Sequence, residues 1–248
     1  MLTLAGIGIH DIMDMSLKAL EACRRADAVY AEAYTSRVEG MDRLEEILGR
    51  EVKFLSRSDL EENAKKIVEE AAKRDVVILV PGDPMVATTH SSLKLEAEKA
   101  GVKVRVIHGS SISSAVCVTG LQFYRFGKTA TVSWPLGSVV SSYPVNVVRS
   151  NWSINAHTLL LLDLNPEMKV PEAIELLFKA GMEDWYAVAI SDAGGNVKMK
   201  CDMLSKLRDF SGKGLHSLVI LARTLHFIEA ECLKTFADAP DSLDEIVE

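Results

Sequence analysis

Val76-Val77-Ile78-Leu79-Val80-Pro81-Gly82-Asp83-Pro84 is the stretch whose reading decides the fold. Its five apolar residues, all but Leu79 β-branched, carry no polar alternation. A run that short and apolar on both faces reads as a strand buried in the middle of a parallel sheet. Pro81 stops it, because proline brings no N–H to a ladder. Gly82 and Asp83 then turn the chain at the carboxyl end, where open α/β sheets hold their ligands.

Outward from this strand, short apolar runs alternate with longer amphipathic stretches, the pattern of a parallel α/β architecture. The spacing predicts strands over 2–7, 27–33, 76–80 and 102–107, then over 129–133, 158–163, 186–191 and 217–222. A helix follows the first strand through Ser16 and Leu20. Another runs over 43–48 and stops at Gly49, a residue suited to a helix C-terminus. Ser58 and Glu61 have capping-box spacing and are expected to open a helix reaching Lys73. Its stripe Leu60, Ile67, Val68 and Ala71 is helix core. Further helices are expected over 92–99, 142–150, 171–180, 202–209 and 226–236. Gly109-Ser110-Ser111 is a natural break between the two runs of alternation. Two α/β domains are therefore expected, 1–110 and 111–248, facing each other across a cleft for a ligand.

Composition narrows the function. Of 248 residues, 48% are apolar and 25% charged, the balance of a globular protein rather than a disordered one. No apolar run approaches the roughly 20 residues that span a bilayer. Met1-Leu2-Thr3-Leu4 runs straight into a glycine turn without a basic leader, so a cytoplasmic protein is expected. The net charge is −7 and basic residues come only in short pairs, which argues against nucleic acid as the main partner. Cys23, Cys117, Cys201 and Cys232 form no C-x-x-C pair, and histidines do not cluster at ligand spacing. The cysteines read as packing, and neither a disulfide framework nor a metal site is expected.

Chemistry concentrates at two turns. Gly6-Ile7-Gly8-Ile9-His10-Asp11 follows the first strand, but Asp11 stands where a dinucleotide fingerprint has its third glycine. It is either a tight turn or a close backbone approach to a ligand. In Pro81-Gly82-Asp83-Pro84 two prolines fix the backbone around Asp83, which either displays its carboxylate to a ligand or closes an Asx turn on its own backbone. His10 and His90 flank these turns. His226, between Leu225 and Phe227, is either a packing residue or a contact at a helix start. No Ser/His/Asp or Cys/His arrangement is present, so no catalytic residue is named.

A strand ending in Pro81-Gly82-Asp83-Pro84, after a strand ending in Gly6-Ile7-Gly8, resembles the tetrapyrrole-methylase-like methyltransferases. Within that family the chain is most similar to the archaeal-type diphthine synthases. The matching segments are Ala31-Glu32-Ala33-Tyr34-Thr35-Ser36, Met85-Val86-Ala87-Thr88-Thr89-His90 and Thr119-Gly120-Leu121-Gln122-Phe123-Tyr124-Arg125-Phe126-Gly127-Lys128. His157-Thr158-Leu159-Leu160-Leu161-Leu162-Asp163 and Leu225-His226-Phe227-Ile228-Glu229-Ala230-Glu231 complete the set, in order along nearly the whole chain. Corrin and sirohaem methyltransferases usually repeat Pro-Gly-Asp-Pro in the first loop, where this chain has Ile9-His10-Asp11-Ile12.

The resemblance implies an S-adenosylmethionine-dependent N-methyltransferase of diphthamide biosynthesis, releasing S-adenosylhomocysteine and needing no metal. It implies trimethylation of a 3-amino-3-carboxypropyl-histidine on translation elongation factor 2, and a homodimer. The implied cofactor contacts are Ile9, Asp83, Val86, Ser111, Ile112, Leu162, Cys201 and His226. Cys201 stands where the family usually has a smaller residue. Rival readings are methylation of a tetrapyrrole carbon, methylation of an RNA ribose, and a non-catalytic cofactor sensor.

Overall fold

The computed structural model describes residues 1–32 and 34–248; Ala33, the last residue of the expected second strand, lies outside them. The chain divides into two units, Met1–Ile112 and Ser113–Glu248, so Ser111 and Ile112 belong to the first.

In the first unit the strands are β1 (Leu2–Gly8), β2 (Ala28–Glu32), β3 (Lys53–Leu55), β4 (Val76–Pro81) and β5 (Val104–Ile107). They form one sheet in the order β3-β2-β4-β1-β5, and every pairing is parallel. The apolar run of β4 is central and buried throughout. Its side chains alternate as a pleat requires. Val76, Ile78 and Val80 join Leu2, Leu4 and Tyr30 on one face, while Val77 and Leu79 join Ile7, Val29 and Ala31 on the other.

Helices cover both faces, as a parallel sheet demands. Cys23 of α1 (Leu17–Arg25) and Leu44 and Leu48 of α2 (Leu44–Leu48) pack on the second face. Leu60 of α3 (Arg57–Glu61), Ile67, Val68 and Ala71 of α4 (Ala64–Ala71) and Leu93 of α5 (His90–Lys99) pack on the first. The helix expected from Ser58 to Lys73 is thus two helices. Its capping box is two residues earlier: Asp59 Oδ2 accepts from Ser56 N (2.9 Å) and Ser56 Oγ accepts from Asp59 N (3.3 Å). Asn63 ends α3 by donating its side-chain amide to the Ser58 carbonyl (3.2 Å).

The boundary between the units falls inside the short helix α6 (Ile112–Ala115). The second unit continues with β6 (Ala130–Val132), α7 (Tyr143–Trp152), β7 (Thr158–Leu162), α8 (Val170–Lys179), β8 (Tyr186–Ser191), β9 (Lys198–Met203), β10 (His216–Ile220) and α9 (Phe227–Ala237). Its sheet runs β6-β7-β10-β8-β9. Only β6–β7 is parallel; β7–β10, β10–β8 and β8–β9 are antiparallel. The fully parallel pattern expected from the alternation is therefore corrected here. For β8–β9 the reason is the short turn over 192–197, closed by Gly195 N on the Asp192 carbonyl (3.0 Å), which can only join antiparallel strands. The expected helix over 202–209 is the end of β9 followed by a 3₁₀ segment, Leu204–Asp209. Among the described residues no helix is long and apolar enough to cross a membrane.

Candidate functional site

At the carboxyl ends of β1, β4 and β5 three glycines meet main chain to main chain. A Cβ on Gly6 would lie 2.4 Å from the Gly82 carbonyl oxygen and 2.7 Å from Gly109 N. One on Gly109 would lie 2.4 Å from the same oxygen. Gly82 and Gly8 then exchange hydrogen bonds, Gly82 N to Gly8 O at 2.7 Å and Gly8 N to Gly82 O at 3.3 Å. Gly82 has a φ of 72°, a left-handed geometry that glycine adopts without strain. Gly6 is thus a close approach, and what it approaches is the protein's own second loop. Beyond it, Asp14 Oδ2 accepts from Ile9 N (3.2 Å) and His10 N (2.9 Å), an anchor that no sequence motif marks.

Asp83 closes the Asx turn and ties a second loop with its other oxygen. Oδ1 accepts from Met85 N (2.8 Å), closing an Asx turn. Oδ2 accepts from Gly109 N (3.2 Å) and meets His108 Nδ1 at 2.8 Å. The carboxylate, 5% exposed, therefore fastens the loop after β4 to the loop after β5. Val86 N donates to the Asp83 carbonyl (3.2 Å). Val86, Ile9 and Ile112 are half-buried and Ser111 is buried, so the first unit gathers aliphatic and hydroxyl surface around a rigid turn at a strand end.

A second polar group lies at the ends of β2 and the loop before α5. Glu32 is 0% exposed and accepts from Tyr34 N, Thr35 N and the Thr35 hydroxyl. Burial pushes its carboxyl up, and those bonds only partly offset it. Burial, then the charges of Glu32 and Glu61, pushes the Tyr34 phenol up to about 12. His90 is 1% exposed, and burial holds its imidazole below the ordinary range despite Glu61. Neither its ring nitrogens nor Tyr34 Oη has a hydrogen-bond partner among the described residues.

In the second unit the expected contacts are spread over the sheet. Leu162 ends β7, while Cys201 lies on β9, with β10 and β8 between them. Cys201 is fully buried, and burial pushes its thiol up to about 12. That burial agrees with a packing role for the Cys201 thiol. His226 is exposed and caps α9: its Nδ1 accepts from Ile228 N (3.2 Å), and its ring lies 4.4 Å from that of Phe227.

Behind His226 is a carboxylate that sequence reasoning missed. Glu229, 0% exposed, accepts from Gln122 N (3.0 Å) and His157 Nε2 (3.2 Å) at Oε1. Oε2 accepts from Arg125 NH1 (2.8 Å) and His226 N (3.3 Å). Burial alone raises its carboxyl; the His157 and Gln122 bonds and the Arg125 charge outweigh that and hold it below the usual range. The matched segments around 119–128, 157–163 and 225–231 meet at this one side chain.

Residues 1–198 match the model of the Tetrapyrrole (Corrin/Porphyrin) Methylases. The diphthine synthase of Archaeoglobus fulgidus is 56% identical over 255 residues, covering 100% of both chains. The chain belongs to the diphthine synthases. Their Methanocella arvoryzae member is 41% identical over 96% of this chain and 98% of its own. A crystal structure of diphthine synthase superposes with a TM-score of 0.95 at 54% identity, covering 99% of each chain. The chain is accordingly an S-adenosylmethionine-dependent methyltransferase of diphthamide biosynthesis, and it shares the diphthine synthase fold.

Proposed function

We propose that the chain trimethylates the amino group of a 3-amino-3-carboxypropyl-histidine on translation elongation factor 2, giving diphthine. The observation that carries this reading is the Asp83 fastening at the carboxyl end of β4, within a full-length likeness to diphthine synthases. A cofactor with an adenine, a sulfonium and an amino-acid tail needs aliphatic walls, hydrogen-bonding edges and a turn that does not yield. Ile9, Val86, Ile112 and Leu162 would supply walls, Ser111 and His226 hydrogen bonds, and Asp83 a fixed turn with a carboxylate close by. When bound, S-adenosylmethionine supplies a methyl group activated on a sulfonium.

The chain's own part is orientation and exclusion of water, which is where most of the acceleration of such a transfer arises. A primary amine that takes three methyls must not be clamped by fixed hydrogen bonds, since these would favour the unmethylated state. Thr88, Thr89, Ser111, Ile112 and Leu162 provide hydroxyl and apolar surface that admits growing bulk. Exposed Phe123, Tyr124, Phe227 and Ile228 are brought near one another by the Gln122 and Arg125 bonds to Glu229, and they support a homodimer. A cytoplasmic setting agrees with a substrate that works in translation.

Incubation with methyl-labelled cofactor and elongation factor 2 carrying the unmethylated side chain tests the reading. Mass spectrometry over time should show mono-, di- and then trimethyl forms on one nitrogen. Arrest after one methyl, or methyls on different atoms, contradicts it.

A further inference from the structure

We propose that Glu229 is a positioning residue, holding the His226 imidazole in the tautomer and direction in which it meets the bound cofactor. This rests on the reading of His226 as a cofactor contact. Glu229 presents only acceptors, and four donors use them: Gln122 N, His157 Nε2, Arg125 NH1 and His226 N. The direction of the His157 bond follows from its other nitrogen. His157 Nδ1 accepts from Ala222 N (3.0 Å), so the ring proton is on Nε2 and is donated to Glu229. Glu229 therefore carries its charge without needing a proton of its own.

The same network fixes the chain entering α9 residue by residue. Ala222 N is held by His157, the Thr224 carbonyl accepts from Arg125 NH2 (2.9 Å), Thr224 N donates to Asn155 (3.0 Å), and His226 N donates to Glu229 (3.3 Å). His226 is the last link. Its extended backbone, φ −69° and ψ 141°, lets the ring fold back so that Nδ1 accepts from Ile228 N. A neutral imidazole that accepts at Nδ1 carries its proton at Nε2. The exposed ring thus offers one N–H donor outward, braced by Phe227. Without the Glu229 carboxylate the backbone bonds of Glu229 N and Ala230 N to the His226 carbonyl (2.9 and 3.2 Å) remain, but His226 N loses its acceptor, and the tautomer with the proton on Nδ1 competes.

Glu229→Gln in the full chain is the test, since its amide group must face N–H donors. Calorimetry with S-adenosylmethionine should show binding weakened about tenfold, the usual scale for one charged hydrogen bond. In ¹⁵N-histidine spectra the His226 signals should move from the pure Nε2–H pattern toward a mixture, a change that loss of stability alone does not produce. In a His226→Ala background Glu229→Gln should cost no further affinity. Arg125→Lys, a milder change, should shift both readouts in the same direction if Glu229→Gln does not fold. A folded Glu229→Gln with wild-type affinity and an unchanged tautomer overturns the proposal, as does full additivity with His226→Ala. Should His226→Ala bind normally, the contact reading fails instead, and the tautomer measurement still decides whether Glu229 sets the ring.

Discussion

Glu32 in the first unit and Glu229 in the second are both 0% exposed, yet burial ends differently for them. Glu32 is met by two backbone amides and a threonine hydroxyl, and its carboxyl is raised. Glu229 is met by two backbone amides, an imidazole N–H and the Arg125 guanidinium, and its carboxyl is lowered. The number of hydrogen bonds is similar; what differs is the kind of donor, led by the His157 ring N–H and joined by the Arg125 guanidinium. Around Glu32 the donors only soften the loss of water, whereas around Glu229 the His157 and Gln122 bonds, with the Arg125 charge after them, reverse it. A local turn suffices for the first arrangement. The second needs partners from distant parts of the chain, and it is there that the residues framing His226 are assembled.

The contrast breaks most visibly at the carboxylate that has the cation. Glu229→Ala leaves Arg125, 16% exposed at its side chain, without its carboxylate, and should cost about 3–5 kcal/mol of unfolding free energy in urea titration. A loss under about 1 kcal/mol would mean that the donors find other partners. Asp83→Ala comes next. From sequence alone a loss of cofactor affinity with an intact fold is expected; because Asp83 also ties Met85 N to Gly109 N, the melting temperature should fall as well. Each effect should be about 1.5–3 kcal/mol, and normal melting with weakened binding would restore the simpler display role.

The smallest effect sharpens the comparison most. The lowered Glu229 carboxyl contributes stability that is full above its unfolded value near about 4.3 and is lost as pH falls through its folded value. Glu32, being raised, contributes stability present below about 4.3 and lost as pH rises through its folded value. Glu32→Gln should therefore be within about 1 kcal/mol of the parent at neutral pH, on the favourable side. Relative to it, the parent should gain stability on acidification. Paired urea titrations from about pH 8 to about pH 4 read the sign, and a parent that loses ground to Glu32→Gln in acid would show the carboxyl to be lowered after all.

Much of the first unit is legible in the sequence because its strands bury both faces and so appear as uninterrupted apolar runs; the apolar run 76–80 falls within one residue of the observed β4, Val76–Pro81. Lys53–Leu55 escapes because three residues with mostly exposed side chains carry no periodicity. In the second unit β9 reads Lys-Met-Lys-Cys-Asp-Met, a period-two pattern whose last residues merge with the helix-like spacing that follows. Strand direction escapes too, since local pattern does not encode it; the brevity of the 192–197 turn marks it for β8 and β9 alone. The turns around Gly6 and Asp83 are visible as motifs. Glu229 is not, for it lies in an ordinary helix start, and its partners Gln122, Arg125 and His157 stand 107, 104 and 72 residues away.

The three-glycine crossing bears on the one place where the first loop departs from its wider family. Ile9-His10-Asp11-Ile12 lacks the prolines that stiffen the second loop, yet its path is set from outside, by the Gly8–Gly82 exchange and by the Asp14 carboxylate under Ile9 and His10. Shape and lettering are thereby uncoupled. The main chain keeps the turn without the prolines that set the second loop.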